Sequence, residues 1–259
     1  MGTVTKALSL LRHFSRTEPA IGLSDLARRS GLNKATVYRL MTELTAGGLV
    51  EQAGDGRAYR LGPEVLRLAA LREATTPLLA VARDVLDQLS RSTGETAHVS
   101  LVQGTRLEAL DFRYSDRHAT RVMMDSETQL AFHATGSGLA VLAWADAPLV
   151  EAALTPPLAR FTADTDTDPD HIRAMLARIR AQGFAESIGG FEADVHSHAA
   201  PVFGPDQRPL GAIAVAAPAT RMTDTARARI RQDVRAAGLD MTRRLGGLCP
   251  PAYPIEAAA

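Results

Sequence analysis

The chain has 259 residues, 46% of them hydrophobic and 22% charged, the make-up of an ordinary soluble globular protein of one large domain or two unequal ones. Formal net charge is zero, but residues 1–72 hold eleven Lys and Arg against six Asp and Glu, while the remainder holds eighteen against twenty-three. A basic front and an acidic back suggest a nucleic-acid module joined to something else. Cys249 is the only cysteine, which excludes an intramolecular disulfide and a four-thiolate metal site and fits a reducing cytosol. The apolar runs are too short to span a bilayer, and no apolar signal core with a cleavage site opens the chain, so a cytoplasmic protein without a membrane partner is expected.

In chain order, Val4, Ala7, Leu8, Leu11 and Phe14 recur at helical spacing and predict a first helix over 3–16. Pro19 and Gly22 break it. Ser24 is suited to cap a second helix through Arg29, and Gly31 to end it in a left-handed turn. Asn33 is the cap of a third helix reaching Ala46, with Val37, Leu40, Met41 and Leu44 as its buried stripe. Leu49–Gln52 and Ala58–Leu61 flank Gly54-Asp55-Gly56-Arg57, a hairpin signal. Pro63 opens a linker helix, and Pro77 starts another that reaches about Ser92.

The rest alternates strand and helix signals. Ala97–Val102 and Leu107–Phe112 read as paired strands around Gly104, and Thr120–Met124 and Leu130–His133 as weaker strands. Helices are expected over Ser137–Ala145, Pro148–Leu154, Asp170–Gln182 and Thr223–Leu245, with strands at Val195–Phe203 and Leu210–Ala217. The tail from Cys249 has three prolines and reads as loose. The pattern implies an α+β fold, a mostly antiparallel sheet flanked by helices. The expected divisions are 1–62, a linker over 63–76, a second domain over 77–246 and a flexible tail over 247–259.

Residues 22–62 carry the strongest functional signal. A short helix, a tight turn, a basic second helix and a β-wing follow in the order of a winged helix-turn-helix, which presents the start of its second helix to base edges in the major groove. Lys34, Ala35, Thr36, Tyr38 and Arg39 occupy that front; Ser24 and Arg28 lie where the first helix meets phosphate; Arg57, and with less support Tyr59, sit on the wing. Charged helix residues are usually only solvated, and Tyr38 can equally be a core aromatic. The ordered set of caps, turn, basic helix and wing favours DNA.

The chain resembles the IclR family of bacterial transcriptional regulators. The resemblance rests on Ala7-Leu-Ser-Leu-Leu through Thr36-Val-Tyr-Arg-Leu-Met-Thr-Glu-Leu, Tyr59-Arg-Leu-Gly62, Thr93-Gly-Glu-Thr96, Phe132-His-Ala-Thr-Gly-Ser-Gly-Leu-Ala-Val-Leu-Ala143, Gly183-Phe-Ala-Glu186 and Ala199-Ala-Pro-Val202. It implies an N-terminal winged helix-turn-helix, a linker helix and a C-terminal GAF-like effector-binding domain. It further implies homodimers pairing into homotetramers on double-stranded operator DNA, and a small-molecule effector, often a carboxylate. Cofactors and catalysis are not implied.

Carried over residue by residue, the effector positions are Gly136 and Ser137 at a helix start, where free N–H groups favour an anion, then Ser187, Val195, Ser197, Ala214 and Ala216, with Val122 or its neighbours Met123 and Met124 as an apolar wall. The small side chains suggest room for a bulky ligand such as an aromatic acid. Departures from the family pattern are Ala35 for a frequent Ser, Asp194 for Gly, His198 for an aliphatic residue, and Ser187-Ile-Gly-Gly-Phe-Glu192 for an acidic stretch.

Asp194, His196 and His198 form an Asp-x-His-x-His run whose side chains would share one face of a strand, with His98 and His133 as further candidates for a Zn²⁺ site. Hydrogen-bonded structural histidines are the commoner outcome, and Val195 and Ser197 would point to the opposite face. The run defines an alternative function, a metal-dependent hydrolase with an appended DNA-binding head. No His-Glu-x-x-His motif, nucleophile elbow or phosphate loop supports it. A third reading is an architectural DNA binder whose large domain only oligomerises.

Overall fold

The computed structural model describes residues 2–15, 18–53, 57–75, 77–124 and 129–255, with Glu73 described by its backbone only. The chain divides into two compact units, residues 1–77 and 78–259.

The first unit begins with α1 (Thr3–Leu11), shorter than the expected 3–16: the chain turns at Arg12, and Ser15 and Glu18 exchange backbone hydrogen bonds. Leu10 is its buried residue, and Ala7, Leu11 and Phe14 pack at the edge of the core. The short strand β1 (Ile21–Gly22) runs straight into α2 (Leu23–Ser30). Gly22 is therefore the N-cap, and Ser24, expected to cap, sits exposed in the first turn with no capping bond. Pairing of Ile21 with Tyr59 and Gly22 with Ala58 holds the chain extended up to that point. Gly31 ends α2 at φ 68°, the left-handed conformation that lacks a Cβ penalty only for glycine.

Asn33 caps α3 (Lys34–Ala46) by accepting Thr36 N–H at 2.8 Å, and the stripe Val37, Leu40, Met41 and Leu44 is buried as expected. Strands β2 (Val50–Gln52) and β3 (Ala58–Leu61) pair antiparallel, giving the sheet order β1-β3-β2; the hairpin tip Gly54–Gly56 lies outside the described residues. Helix α4 (Pro63–Thr75) then opens at Pro63.

The second unit opens with α5 (Leu78–Thr93), β4 (Thr96–Gln103), β5 (Arg106–Arg113) and the two-residue β6 (Gln129–Leu130). There follow α6 (Gly136–Leu142), α7 (Ala147–Ala153), α8 (Pro169–Gln182), β7 (Ala185–Ile188), β8 (Val195–Phe203), β9 (Pro209–Pro218) and α9 (Asp224–Arg244). The six strands of this sheet pair antiparallel in the order β6-β5-β4-β9-β8-β7.

Helices cover both faces. On one, Val81, Val85 and Leu86 of α5 and Ile230, Val234 and Met241 of α9 pack on Ala97, Val99, Ala200, Ile213 and Val215. On the other, α6 and α8 pack on Ala185, Ala199, Ala212 and Ala214. The strands alternate, so consecutive residues serve opposite cores. Alanine on the α6 side lets that short helix lie close, and every residue from Gly136 to Leu142 is buried.

Three expectations are corrected. Residues 120–124 form no strand: Val122 C=O accepts from Thr96 Oγ1 at 2.8 Å, and Met124 N–H donates to the Tyr114 hydroxyl at 3.1 Å, so these groups bond to side chains instead of a ladder. The expected strand 130–133 shrinks to β6 because residues 132–134 turn into the approach to α6. The tail is packed over its described part. Tyr253 is only 4% exposed, stacks with Trp144 and Phe203 at 5.3 and 5.4 Å, and donates to Gly183 C=O at 2.8 Å. A proline-rich segment has no periodicity to advertise a single anchoring aromatic. Tyr253→Ala therefore lowers unfolding free energy by about 3 kcal/mol, as for other buried aromatic truncations, in urea melts of the intact protein; a change within about 0.5 kcal/mol means the tail is not anchored.

Candidate nucleic-acid interface and ligand cavity

In the first unit, the buried stripe of α3 turns its other side outward. Lys34, Ala35, Tyr38 and Arg39 are exposed and Thr36 is half-buried; Tyr38, at 58% exposure, is not a core aromatic. Ser24, Lys34, Tyr38 and Arg57 border one cleft of about 730 Å³, formed by the start of α2, the front of α3 and the wing strands. Arg28 stands exposed and pairs with Asp25 at 2.7 Å, a surface contact weak enough to exchange for another anion. Arg29 is held by Glu18 through two bonds of 2.6 Å. Tyr59, read from the sequence with less support as a wing contact, borders the same cleft but packs into the core with Ile21 and Leu26 and is only 5% exposed. A helix with two cations on its open face matches in size and charge the major groove, about 12 Å wide.

The second unit contains a cavity of about 110 Å³ on the α6 side of the sheet, beside β4, β8 and β9. Seven of the ten carried-over effector positions border it: Val122, Met123, Met124, Ser187, Val195, Ser197 and Ala216. Three do not. Gly136 is pressed on β8, where a Cβ would lie 2.8 Å from Ser197 Oγ. Ser137 lies behind the wall, with its hydroxyl 3.1 Å from His98 Nε2. Ala214 is buried in the α6–sheet core. The N-cap Thr135 borders the cavity, and its Oγ1 accepts Gly138 N–H at 3.0 Å.

Sequence reasoning missed His98, Leu130, Thr135, Phe191 and Glu192 as lining residues. His98 was legible by parity, since Ala97 and Val99 face the opposite core. Phe191 and Glu192 come from a loop whose path no periodicity records. Phe191 stacks on Phe161 at 4.8 Å, which in turn lies 5.9 Å from His133. His133 bonds to Ala159 C=O at 2.8 Å and does not meet the cavity. A cavity near 110 Å³ is comparable with the roughly 150 Å³ that accepts benzene in an engineered core. It suits a single ring, the small end of the aromatic acids suggested by the sequence.

The family model for the bacterial transcriptional regulator IclR C-terminal region matches residues 72–243, and that for the IclR helix-turn-helix domain matches residues 3–54. The chain belongs to the IclR family. Among solved structures it is similar to an IclR transcriptional regulator from Silicibacter sp. TM1040, at 57% identity and TM-score 0.83, with 98% of this chain and 100% of that one covered. Among curated proteins it is 26% identical to the transcriptional repressor IclR of Escherichia coli K12, over 95% of this chain and 90% of that protein. It is also similar to the transcriptional regulator BhcR of Paracoccus denitrificans, 31% identical over 78% of this chain and 72% of that protein. An IclR homolog from Microbacterium hydrocarbonoxydans, solved with 4-hydroxybenzoate, shares the fold at 22% identity and TM-score 0.56, with 94% and 99% of the two chains covered. The relatives are transcriptional regulators, and no helix among the described residues is long and apolar enough to cross a membrane.

In this IclR-family protein the Asp-x-His-x-His run is split by the fold. Asp194 precedes β8, and its C=O accepts Ala219 N–H at 2.8 Å. His196 and His198 face α9, opposite Val195 and Ser197. His198 is fully buried, with Nε2 2.9 Å from Glu186 Oε1, and Arg231 grips the same carboxylate through bonds of 2.8 to 3.1 Å. Among the described residues, no three His, Cys, Asp or Glu converge as metal ligands. The hydrolase alternative loses its constellation: these residues hold β7, β8 and α9 together.

Burial alone would raise the Glu186 carboxyl, but the bonds from His198 and Arg231 outweigh it and hold it down at about 2. Burial, then the neighbouring His198 and Arg227, lower His196. A carboxyl depressed in the folded state stabilises it above the unfolded value of 4.5, and that contribution is lost as pH falls towards about 2. Glu186→Gln strands part of this cluster and costs about 3 kcal/mol at pH 7, with the deficit shrinking between pH 4.5 and 2. Urea melts across that range check it; a variant as stable as wild type at pH 7 refutes the role.

Proposed function

We propose that this protein regulates transcription by placing α3 in the major groove of a double-stranded operator, and that a small molecule in the cavity of the second unit controls its grip. The observation that carries the reading is the outward face of α3, polar and basic beside a wing, on a helix whose opposite face is core. Lys34, Thr36, Tyr38 and Arg39 are the proposed base-edge and phosphate contacts, with the Ala35 methyl offered to thymine. Ser24, Arg28 and Arg57 hold phosphate and set register.

We propose homodimers that pair into tetramers on DNA. Exposed Val4 and Leu8 on α1, with Leu66 and Leu71 on α4, give this unit apolar surface that a second copy can cover. Two heads on two half-sites gain affinity by linkage. The proposed setting is the cytoplasm, where the operator is.

The effector we propose is a single-ring compound of the aromatic-acid class. The apolar walls Val122, Leu130, Phe191 and Val195 and the ring-sized volume support it. Control then follows from population shift: the ligand changes operator affinity only by as much as it prefers one of the two states.

On operator sites selected from a random duplex library, Arg39→Ala weakens binding about 10-fold or more, the cost of a lost base-edge contact. Arg28→Ala weakens all sequences alike and lowers the salt slope by about one. Unchanged affinity in Arg39→Ala, with the second unit still folded by circular dichroism, refutes the placement of α3.

A further inference from the structure

The polar part of the cavity wall is rich in lone pairs and poor in protons. Thr135 Oγ1 donates to Ala131 C=O at 2.9 Å, and Ser187 Oγ donates to Ala134 C=O at 2.6 Å. Both hydroxyl protons are committed to backbone, so each oxygen can only accept from a ligand. Glu192, exposed at the mouth, adds a carboxylate acceptor. Among the described residues, no Lys or Arg borders the cavity. Ser197 supplies one hydroxyl.

His98 is different. It is 4% exposed, lines the cavity, and its Nδ1 has no partner among the described residues, while Nε2 lies 3.1 Å from Ser137 Oγ. Burial pushes the imidazole down to about 4, so the ring is neutral at neutral pH. A buried polar atom left without a partner is costly, which marks Nδ1 as the group a ligand satisfies.

We propose that the buried end of this cavity recognises a hydroxyl group on a single-ring ligand, with His98 as the specificity-determining residue. A ligand carboxylate, where present, stays at the mouth in water. The inference rests on the reading of the cavity as the effector site and adds which end of the ligand the protein reads. A hydroxyl both gives and takes a hydrogen bond. Its proton goes to a lone pair on Thr135 or Ser187, and its oxygen meets His98 Nδ1. With the hydroxyl proton given to Thr135 or Ser187, Nδ1 carries the imidazole proton and donates to the ligand oxygen, while Nε2 accepts from the Ser137 hydroxyl. A carboxylate only accepts. At the buried end only the Ser197 hydroxyl and Nδ1–H would donate to it, the Thr135 and Ser187 oxygens would repel it, and no cation would offset the loss of its hydration.

The test is isothermal calorimetry of the full-length protein at pH 7.5 with phenol, 4-hydroxybenzoate and benzoate. The two hydroxylated rings bind about 10-fold or more tightly than benzoate, because a site built to bond a hydroxyl rejects the analogue that lacks it. His98→Phe brings the three within about 2-fold of one another. His98→Asn, which restores a polar group of smaller size, recovers part of the preference and serves if His98→Phe does not fold. Benzoate binding as tightly as phenol overturns the inference and leaves the single-ring reading standing. Full discrimination retained in His98→Phe overturns the role of His98. Binding by none of the three overturns the single-ring reading and the inference with it.

Discussion

The two-residue alternation of β8 and β9 is the constraint on which the second unit depends. A strand covered on both faces must satisfy two environments with consecutive side chains. Along β8, Val195 and Ser197 turn to the cavity while His196 and His198 turn to α9. Along β9, Ala214 and Ala216 serve the cavity side while Ile213 and Val215 fill the core under α5 and α9. A slip of one residue would exchange every pair, turn His196 and His198 into the cavity and separate His198 from Glu186.

That cluster and the cavity are therefore two products of one register. On the α9 side, burial and charge are reconciled around one carboxylate: Glu186 accepts from the Arg231 guanidinium and lies 2.9 Å from the His198 imidazole. On the α6 side, small residues leave a void and the hydroxyls bond to backbone. The void persists because α6 is wedged between sheet and α8 with no exposed residue and cannot collapse inward, and Gly136 already touches β8. His98 is the one wall group whose buried nitrogen has no protein partner among the described residues.

The first unit uses the same logic at helical period. Val37, Leu40, Met41 and Leu44 commit one side of α3 to the core, which leaves Lys34, Ala35, Tyr38 and Arg39 outside as a consequence of 3.6 residues per turn. Presenting a rigid, basic helix front to a duplex requires nothing further of the backbone than Gly31 at the turn and Asn33 at the cap.

The sequence by itself determined the local and periodic features: the capped α3 with its buried stripe, the break at Gly31, and the strand parity that sent Val195 and Ser197 away from His196 and His198. These are legible because caps, turns and alternation act over a few residues. Ranges assigned without strong local signals failed, as at 120–124, where side-chain bonds from Thr96 and Tyr114 replace a ladder. Only the tertiary structure decided that Ser24 yields the cap to Gly22, that Tyr59 and Tyr253 belong to the cores, and that Gly136, Ser137 and Ala214 stand behind the cavity while Phe191 and Glu192 face it. Those outcomes depend on which distant strand or helix arrives alongside, and neither spacing nor composition encodes the distance between elements far apart in the chain.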